Sequence, residues 1–128
     1  MRILLDSHAL VWFLTGNSNL SSAAREAILA GDATVCVSAA SAWEIATKVR
    51  AGKWSDAEEI ALHFERVLIA HDFSPLAVTV EHGRLAGFLP GAHRDPFDRM
   101  LAAQAITEDV PLVTVDPAFK AFDVHVLW

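Results

Sequence analysis

Short, continuously apolar stretches separated by helical patterns limit the fold of this chain more than any other feature. Four of them cover residues 2–5, 34–37, 112–115 and 124–127, and a weaker fifth covers residues 76–79. Continuous apolar runs, as opposed to alternating ones, are typical of parallel strands that are covered on both faces. The pattern therefore predicts an α/β fold built on a parallel sheet.

Helical patterns fill the gaps between these strands, as parallel connections require. They cover residues 7–14, 22–30, 41–51, 56–70, 80–89 and 96–108. Gly31 and Gly52 each follow one of these helical patterns. Many helices end in a glycine that adopts the left-handed backbone conformation at this position. With 128 residues and neither repeats nor a linker, the chain is predicted to form one domain, residues 1–128, with a three-layer α/β/α sandwich.

Composition adds expectations about location and partners. The 53% apolar content is high for a soluble domain and indicates a large core, part of which a protein partner would cover. No apolar run approaches the roughly 20 residues that cross a bilayer, so no membrane association is expected. The lone Cys36 lies within a predicted strand and has no disulfide partner, which favours a reducing cytoplasm.

Five acidic residues occupy positions that such a fold would bring together. Asp6 and Asp116 end predicted strands, whereas Glu44, Asp95 and Asp98 lie in first turns of helices. Both kinds of position meet at the carboxyl edge of a parallel sheet. Two carboxylates about 5 Å apart repel by roughly 3 kcal/mol at an effective dielectric near 20, so a counter-charge is needed. Mg²⁺ or Mn²⁺ suits oxygen ligands, and zinc is disfavoured because the sequence lacks HExxH and paired cysteines.

Two of these acids also have structural interpretations. Asp6 or the adjacent Ser7 could simply cap the following helix. Glu44 could complete a capping box with Ser41, and it precedes Lys48 by four residues, the favourable spacing for a helical ion pair. Both interpretations remain open from the residues alone.

The other acids have structural alternatives as well. Asp95 followed by Pro96 is a typical helix start, and Asp98 in the same first turn would interact with the helix dipole. Asp116 precedes Pro117, so it could be an ordinary turn residue. It would lie beside Asp6 only if their two strands are neighbours.

The formal net charge of −6 argues against general coating of nucleic acid, because phosphate binding depends on Lys and Arg. A local basic rim near the acids is compatible with this net charge, and Lys48, Arg94 and Arg99 are the candidate RNA contacts. His8 and His93 could line the same rim. The four tryptophans are interpreted as core or interface residues, in preference to base-stacking surfaces.

The chain resembles the PIN-domain ribonucleases, specifically toxins of the VapC type from type II toxin–antitoxin systems. The resemblance rests on the strings LLDSHALVWF, SAASAWEIATKVRAGK, HRDPFDRMLAAQA and PLVTVDPAF, which follow one another in the family's order over nearly the whole chain. It implies a five-stranded parallel sheet with the order 3-2-1-4-5. That order would place the strands ending in Asp6 and Asp116 side by side.

The resemblance also implies roles for individual residues. Asp6, Glu44, Asp98 and Asp116 match the family's catalytic, metal-binding acids. Ser7 stands where many relatives carry threonine, so an accessory polar role is retained. Asp95 lies outside the usual four and is expected to be a helix cap first and an accessory residue second.

By this likeness the activity would be Mg²⁺- or Mn²⁺-dependent endonucleolytic cleavage of RNA that leaves a 5′-phosphate and a 3′-hydroxyl. The expected partners are the RNA substrate, a cognate antitoxin whose C-terminal segment covers the active-site groove, and a second copy of the chain in a homodimer. The alternative is a catalytically inactive PIN-like module that acts only through its protein partner.

Overall fold

Five parallel strands form the centre of the computed structural model, which describes all 128 residues. Their spatial order is β3-β2-β1-β4-β5. The strands are β1 (Arg2–Leu5), β2 (Thr34–Ser38), β3 (Ser74–Leu76), β4 (Leu112–Val113) and β5 (Val126–Leu127). The predicted fold class and strand order are confirmed.

Helices make every connection except the last, which passes through a 3₁₀ turn at Pro117–Ala121. They are α1 (Ser7–Thr15), α2 (Ser22–Leu29), α3 (Ala39–Arg50), α4 (Glu58–Leu62), α5 (Phe64–Ala70), α6 (Val80–Phe88) and α7 (Pro96–Glu108). None of them combines the length and the apolarity that a membrane-spanning segment requires.

Alternating residues of the central strand supply two separate cores, because successive side chains of a strand point to opposite faces. Ile3 and Leu5 pack into one core, to which helices α1 to α5 contribute. Leu4 packs into the other, together with residues of α7 and the 3₁₀ turn. Both faces of the sheet are therefore covered, which explains the continuous apolar strand sequences.

The structure corrects several element boundaries. The fifth predicted strand, 76–79, is displaced: the edge strand β3 ends at Leu76, and Thr79 instead caps α6. The predicted helix 56–70 is divided, because His63 leaves the helical conformation between α4 and α5. Gly52 has the expected positive φ of 72°, but Gly31 does not, since α2 ends in extended backbone at Ala30.

Strand register sets the geometry of the carboxyl edge. Leu5 of β1 pairs with Val113 of β4, and the Asp6 amide donates to the Val113 carbonyl oxygen at 3.1 Å. The two strands are thus neighbours, as the adjacency of Asp6 and Asp116 requires. Helix α3 starts directly after β2, on the other side of β1, and brings Glu44 to the same edge.

Candidate functional site

A small cavity of about 110 Å³ lies at the carboxyl edge of the sheet, and no hydrophobic residue lines it. Its lining consists of Asp6, Ser7, His8, Glu44, Lys48, Asp95, Asp98 and Asp116. All five acids singled out in the sequence therefore meet here. They come from four separate segments of the chain, which only the tertiary fold brings together.

Asp6 follows β1 at the carboxyl edge of the sheet and is only 6% exposed. One of its carboxylate oxygens accepts a hydrogen bond from the Ala9 amide at 2.7 Å, so it is the N-cap of α1. Burial raises the pKa of Asp6, whereas the nearby Thr114 side chain favours its ionised form and lowers the pKa. Asp6 is therefore both a helix cap and a cavity residue, and the two sequence interpretations are compatible.

Glu44 is 5% exposed and is held by two side chains. Its Oε1 accepts a hydrogen bond from the Ser7 hydroxyl at 2.5 Å, and its Oε2 lies 2.9 Å from the Lys48 ammonium. The predicted ion pair with Lys48 is confirmed. The capping box with Ser41 is wrong, because α3 starts two residues earlier and Ser38 caps it.

Asp95 and Asp98 open helix α7. The Asp95 carboxylate accepts hydrogen bonds from the Phe97 and Asp98 amides at 2.9 and 3.1 Å, which confirms it as the N-cap. That bonding leaves the Asp98 side chain free to face the cavity. Its Oδ2 lies 2.9 Å from Nε2 of His93, a ring on the preceding loop.

Asp116 follows β4 and caps the 3₁₀ turn, where its carboxylate accepts a hydrogen bond from the Ala118 amide at 2.9 Å. Its own amide donates to the Thr114 hydroxyl at 3.0 Å. Thr114 is 1% exposed, and besides this bond to Asp116 its side chain opposes the burial effect that raises the pKa of Asp6. Sequence reasoning missed this residue, although a hydroxyl inside the apolar run PLVTVD was the available signal.

Two of the cavity acids have raised pKa values, chiefly because they are buried. Burial raises the pKa of Asp6 to about 6, and the neighbouring charges of Glu44 and Asp116 act in the same direction. Burial also raises the pKa of Asp98 to about 6, with added repulsion from Asp95 and other acids, against the opposing His93 hydrogen bond. Strongly perturbed acids in a cleft are typical of functional sites.

Cationic groups compensate only part of this negative charge. Lys48 faces the cavity and pairs with Glu44. Burial lowers the pKa of His8, and the Lys48 charge lowers it further, which favours a neutral ring. The cavity therefore combines five carboxyl groups with one permanent cation.

The candidate RNA contacts differ in their availability. Arg99 does not fit that prediction, because its guanidinium donates hydrogen bonds to the carbonyl oxygens of Ala86 and His93 at 2.9 Å and also to Leu89. It ties the end of α6 and the following loop to α7. Arg94, in contrast, is exposed, and Lys48 is half-buried at the cavity wall.

The donor set fits a hard divalent cation. Carboxylate and hydroxyl oxygens line the cavity, and burial together with neighbouring acids raises the pKa of Asp6 and Asp98, an effect that a bound cation would oppose. No three His, Cys, Asp or Glu side chains are already spaced as a metal cage. Mg²⁺ does not need such a cage, since it keeps several waters and uses one or two carboxylates.

Comparison with protein families gives a match to the PIN domain over residues 3–124. This match covers almost the whole chain, so the chain belongs to the PIN-domain family. PIN domains are generally nucleases, and membership supports a nuclease activity at the level of the family. A comparison with curated proteins gives no match.

Two solved structures share the fold. One is VapBC2 from Rickettsia felis bound to a DNA fragment from its promoter, with a TM-score of 0.70, 18% identity, and coverage of 98% of this chain and 96% of the other. The second is FitAB bound to the IR36 DNA fragment, with a TM-score of 0.61, 18% identity, and coverage of 98% and 93%. At this identity the likeness establishes the fold.

Proposed function

We propose that this chain is the toxin of a VapC-type toxin–antitoxin pair and cleaves RNA with Mg²⁺ or Mn²⁺. The observation that carries this proposal is the polar cavity in which five carboxyl groups meet and burial raises the pKa of two of them, Asp6 and Asp98, to about 6. When bound, a divalent cation would supply positive charge for the phosphate oxygens and would make water a stronger nucleophile.

Asp6, Asp98 and Asp116 would hold the cation, either directly or through its bound waters. Glu44 would also help to hold the cation. The Ser7 hydroxyl has an accessory role, because its hydrogen bond fixes the position of Glu44 Oε1. A cavity carboxylate would also accept the proton of an attacking water. Lys48 and Arg94 would contact phosphates, whereas Arg99 holds the loop that carries His93.

A direct test uses the purified chain, free of any partner, with single-stranded RNA. Cleavage should require Mg²⁺ or Mn²⁺ and should stop on chelation, and the new ends should be a 5′-phosphate and a 3′-hydroxyl. A chain that binds a protein partner but neither binds metal nor cleaves RNA would support the alternative, an inactive PIN-like binding module.

Protein partners are supported by exposed apolar surface. A groove of about 400 Å³ beside the cavity is lined mainly by apolar residues of α3, α6 and α7, including Trp43, which is 64% exposed. The solved neighbours VapBC2 and FitAB are themselves complexes. We propose an antitoxin and a second copy of the chain as partners, all in a reducing cytoplasm, where Cys36 stays a free thiol.

The oligomeric state gives a separate test of the partner proposal. Sedimentation of wild type and Trp43→Asp should show a dimer that the charged substitution weakens. Ile69→Asp is the matched control, because Ile69 is 80% exposed but does not line the groove. A wild-type monomer at all concentrations would leave the antitoxin as the proposed partner and remove the homodimer.

A further inference from the structure

An aromatic surface adjoins the acidic cavity on one side. His8 is exposed and lines the cavity, and its ring lies 4.7 Å from the Trp54 ring at an interplanar angle of 36°. Trp12 lies behind it at 5.4 Å. The polar wall of the cavity therefore continues directly into a set of rings, of which His8 is the outermost.

A cation belongs to the same surface. The Lys48 ammonium lies 5.4 Å from the centre of the Trp54 ring, within the range of a cation–π interaction, and 2.9 Å from Glu44. Lys48 therefore lies between the rings and the acids. A chain of side chains runs from the carboxylates through an ammonium group to an aromatic face.

Local backbone structure builds this arrangement. His8 lies in the first turn of α1, two residues after Asp6, and Lys48 follows Glu44 by one helical turn. The chain then reverses at Gly52, whose φ of 72° ends α3, and the Lys53 amide donates to the Lys48 carbonyl oxygen at 2.9 Å. This turn returns Trp54 to the outer side of α1, beside His8.

We propose that His8, Trp54 and Lys48 form a subsite for the nucleotide next to the scissile phosphate of single-stranded RNA. A base stacks on the His8 ring, which Trp54 supports from behind, while the Lys48 ammonium contacts the adjoining phosphate. Every base has a π face, so such a platform binds single strands with little sequence preference. The inference rests on the proposed function, because it assigns part of that substrate's binding.

A duplex would not use this subsite, since its bases are stacked on one another and only an unpaired base can be placed on a protein ring. The proposal therefore also selects single-stranded over paired RNA. It revises the interpretation of the tryptophans as core or interface residues alone: Trp54 packs against the core with part of its surface and supports His8 with another part.

The chain contains a matched control for His8. His71 is likewise exposed, and its ring lies 5.5 Å from Phe73 at an angle of 32°. It does not line the acidic cavity. His71→Ala thus removes an exposed imidazole from an aromatic neighbour without touching the proposed subsite.

The experiment removes the His8 ring from the protein and, separately, a base from the RNA. Binding of a short single-stranded RNA with one mapped cleavage position is measured by fluorescence anisotropy in an Asp6→Asn background, which prevents turnover. The same RNA is prepared with an abasic nucleotide on either side of that position. His8→Ala should weaken binding of intact RNA about tenfold, the size of one lost stacking contact, and should have no further effect on the correctly placed abasic RNA.

Two further variants separate stacking from structural damage. His8→Phe keeps a ring and should restore binding, and His71→Ala should leave it unchanged. Lys48→Gln should reduce the salt dependence of binding by the equivalent of about one phosphate contact, a slope of about 0.7 on a logarithmic plot. Active His8→Ala enzyme should show the loss mainly in KM.

The possible failures are distinguishable. If RNA without the base binds as well as intact RNA, or if His8→Ala weakens both equally, the subsite is wrong while the proposed function stands. If His8→Ala weakens only the binding of a protein partner, the surface belongs to that partner and the subsite is again wrong. If the wild-type chain neither binds nor cleaves any RNA, the proposed function itself fails.

Discussion

The two ends of helix α7 carry carboxylates with opposite protonation behaviour. At its start, burial raises the pKa of Asp98 to about 6, and neighbouring acids add to the effect. At its end, the His82 hydrogen bond and the Arg2 guanidinium hold the pKa of Glu108 below its ordinary value. The same helix therefore carries Asp98, in which the ionised form is disfavoured, and Glu108, in which the ionised form is stabilised.

The helix dipole predicts the reverse order, because it stabilises a negative charge near the start of a helix and disfavours one near the end. Its effect is typically about 0.3 to 1 kcal/mol for a single charge. Burial outweighs it at Asp98, and the His82 hydrogen bond outweighs it at Glu108. Position along a helix is therefore a weak guide to the ionisation of these two residues.

The difference lies in the partners. Glu108 has the Arg2 guanidinium at 3.4 Å and the His82 ring at 3.1 Å, one partner for each carboxylate oxygen. Asp98 has only His93 at 2.9 Å and faces three other acids. A carboxylate whose partners are complete has a structural role. A partly buried carboxylate that lacks them, such as Asp98, is available for a cation, which is the physical basis for placing the site at this end.

The largest expected effect is on catalysis. Asp6→Asn should lower the rate of RNA cleavage by about 10²- to 10⁴-fold, because it removes a central negative charge and a proton acceptor while an asparagine still caps α1. Glu108→Gln is the control and should keep nearly wild-type cleavage. Single-turnover rates with Mn²⁺ give the comparison, and an unchanged rate for Asp6→Asn would contradict the catalytic assignment.

Folding stability should respond to pH in opposite ways through Asp6 in the acidic cavity and through Glu108 at the far end of α7. For Asp6 the folded pKa of about 6 exceeds the ordinary 3.8, so the folded state binds more protons and its stability falls as pH rises from about 4 to about 6. Asp6→Asn should therefore increase the free energy of unfolding at pH 8 by up to about 3 kcal/mol, and the gain should vanish near pH 4.

Glu108→Gln should do the opposite. Because the folded pKa of Glu108 is lowered, its stabilising effect is present above its ordinary pKa of 4.5 and is lost as pH falls through the folded value. The variant should be less stable than wild type at pH 8 and equal to it in acid. Urea unfolding in metal-free buffer measures both variants, and parallel pH curves for wild type and either variant would contradict this explanation.

Divalent metal should stabilise the folded chain through the acidic cavity at the start of α7 and not through Glu108 at its end. A cation that binds the folded state alone raises the free energy of unfolding by about 2.7 kcal/mol at a concentration of 100 times its Kd. Calorimetry should show a higher Tm with Mn²⁺ for wild type and Glu108→Gln and a smaller rise for Asp98→Asn. Equal rises in all three proteins would place the metal elsewhere.

Much of this fold could be predicted from local patterns, because strands buried on both faces are recognisable as continuous apolar runs. The helix over residues 96–108 was predicted with both ends correct, since Asp95 and Pro96 start it unambiguously. The weak β3 was misplaced because an edge strand of three residues buries little apolar surface. Its register with β2 depends on tertiary packing that no local pattern contains.

The acidic residues of the site could be predicted from the sequence, but the side chains that contact them could not. Acids at strand ends and helix starts converge once the sheet is parallel, so the meeting of Asp6, Asp98 and Asp116 follows from topology. Thr114 and the role of Arg99 depend on contacts between distant segments. The resemblance to the family supplied the strand order that local reasoning left open, and the structure confirms that order.

The smallest expected effect concerns Asp95. This residue lines the cavity, but one of its carboxylate oxygens accepts hydrogen bonds from two backbone amides of α7. Asp95→Ala should lower the free energy of unfolding by about 1 kcal/mol through loss of the cap, whereas Asp95→Asn should change it by only a few tenths, since asparagine caps equally well. Asp95→Asn also removes a repulsive neighbour and should lower the pKa of Asp98. If Asp95 serves only as a helix cap, Asp95→Asn should keep full cleavage activity. Lost cleavage at unchanged stability would instead place Asp95 among the acids that hold the metal.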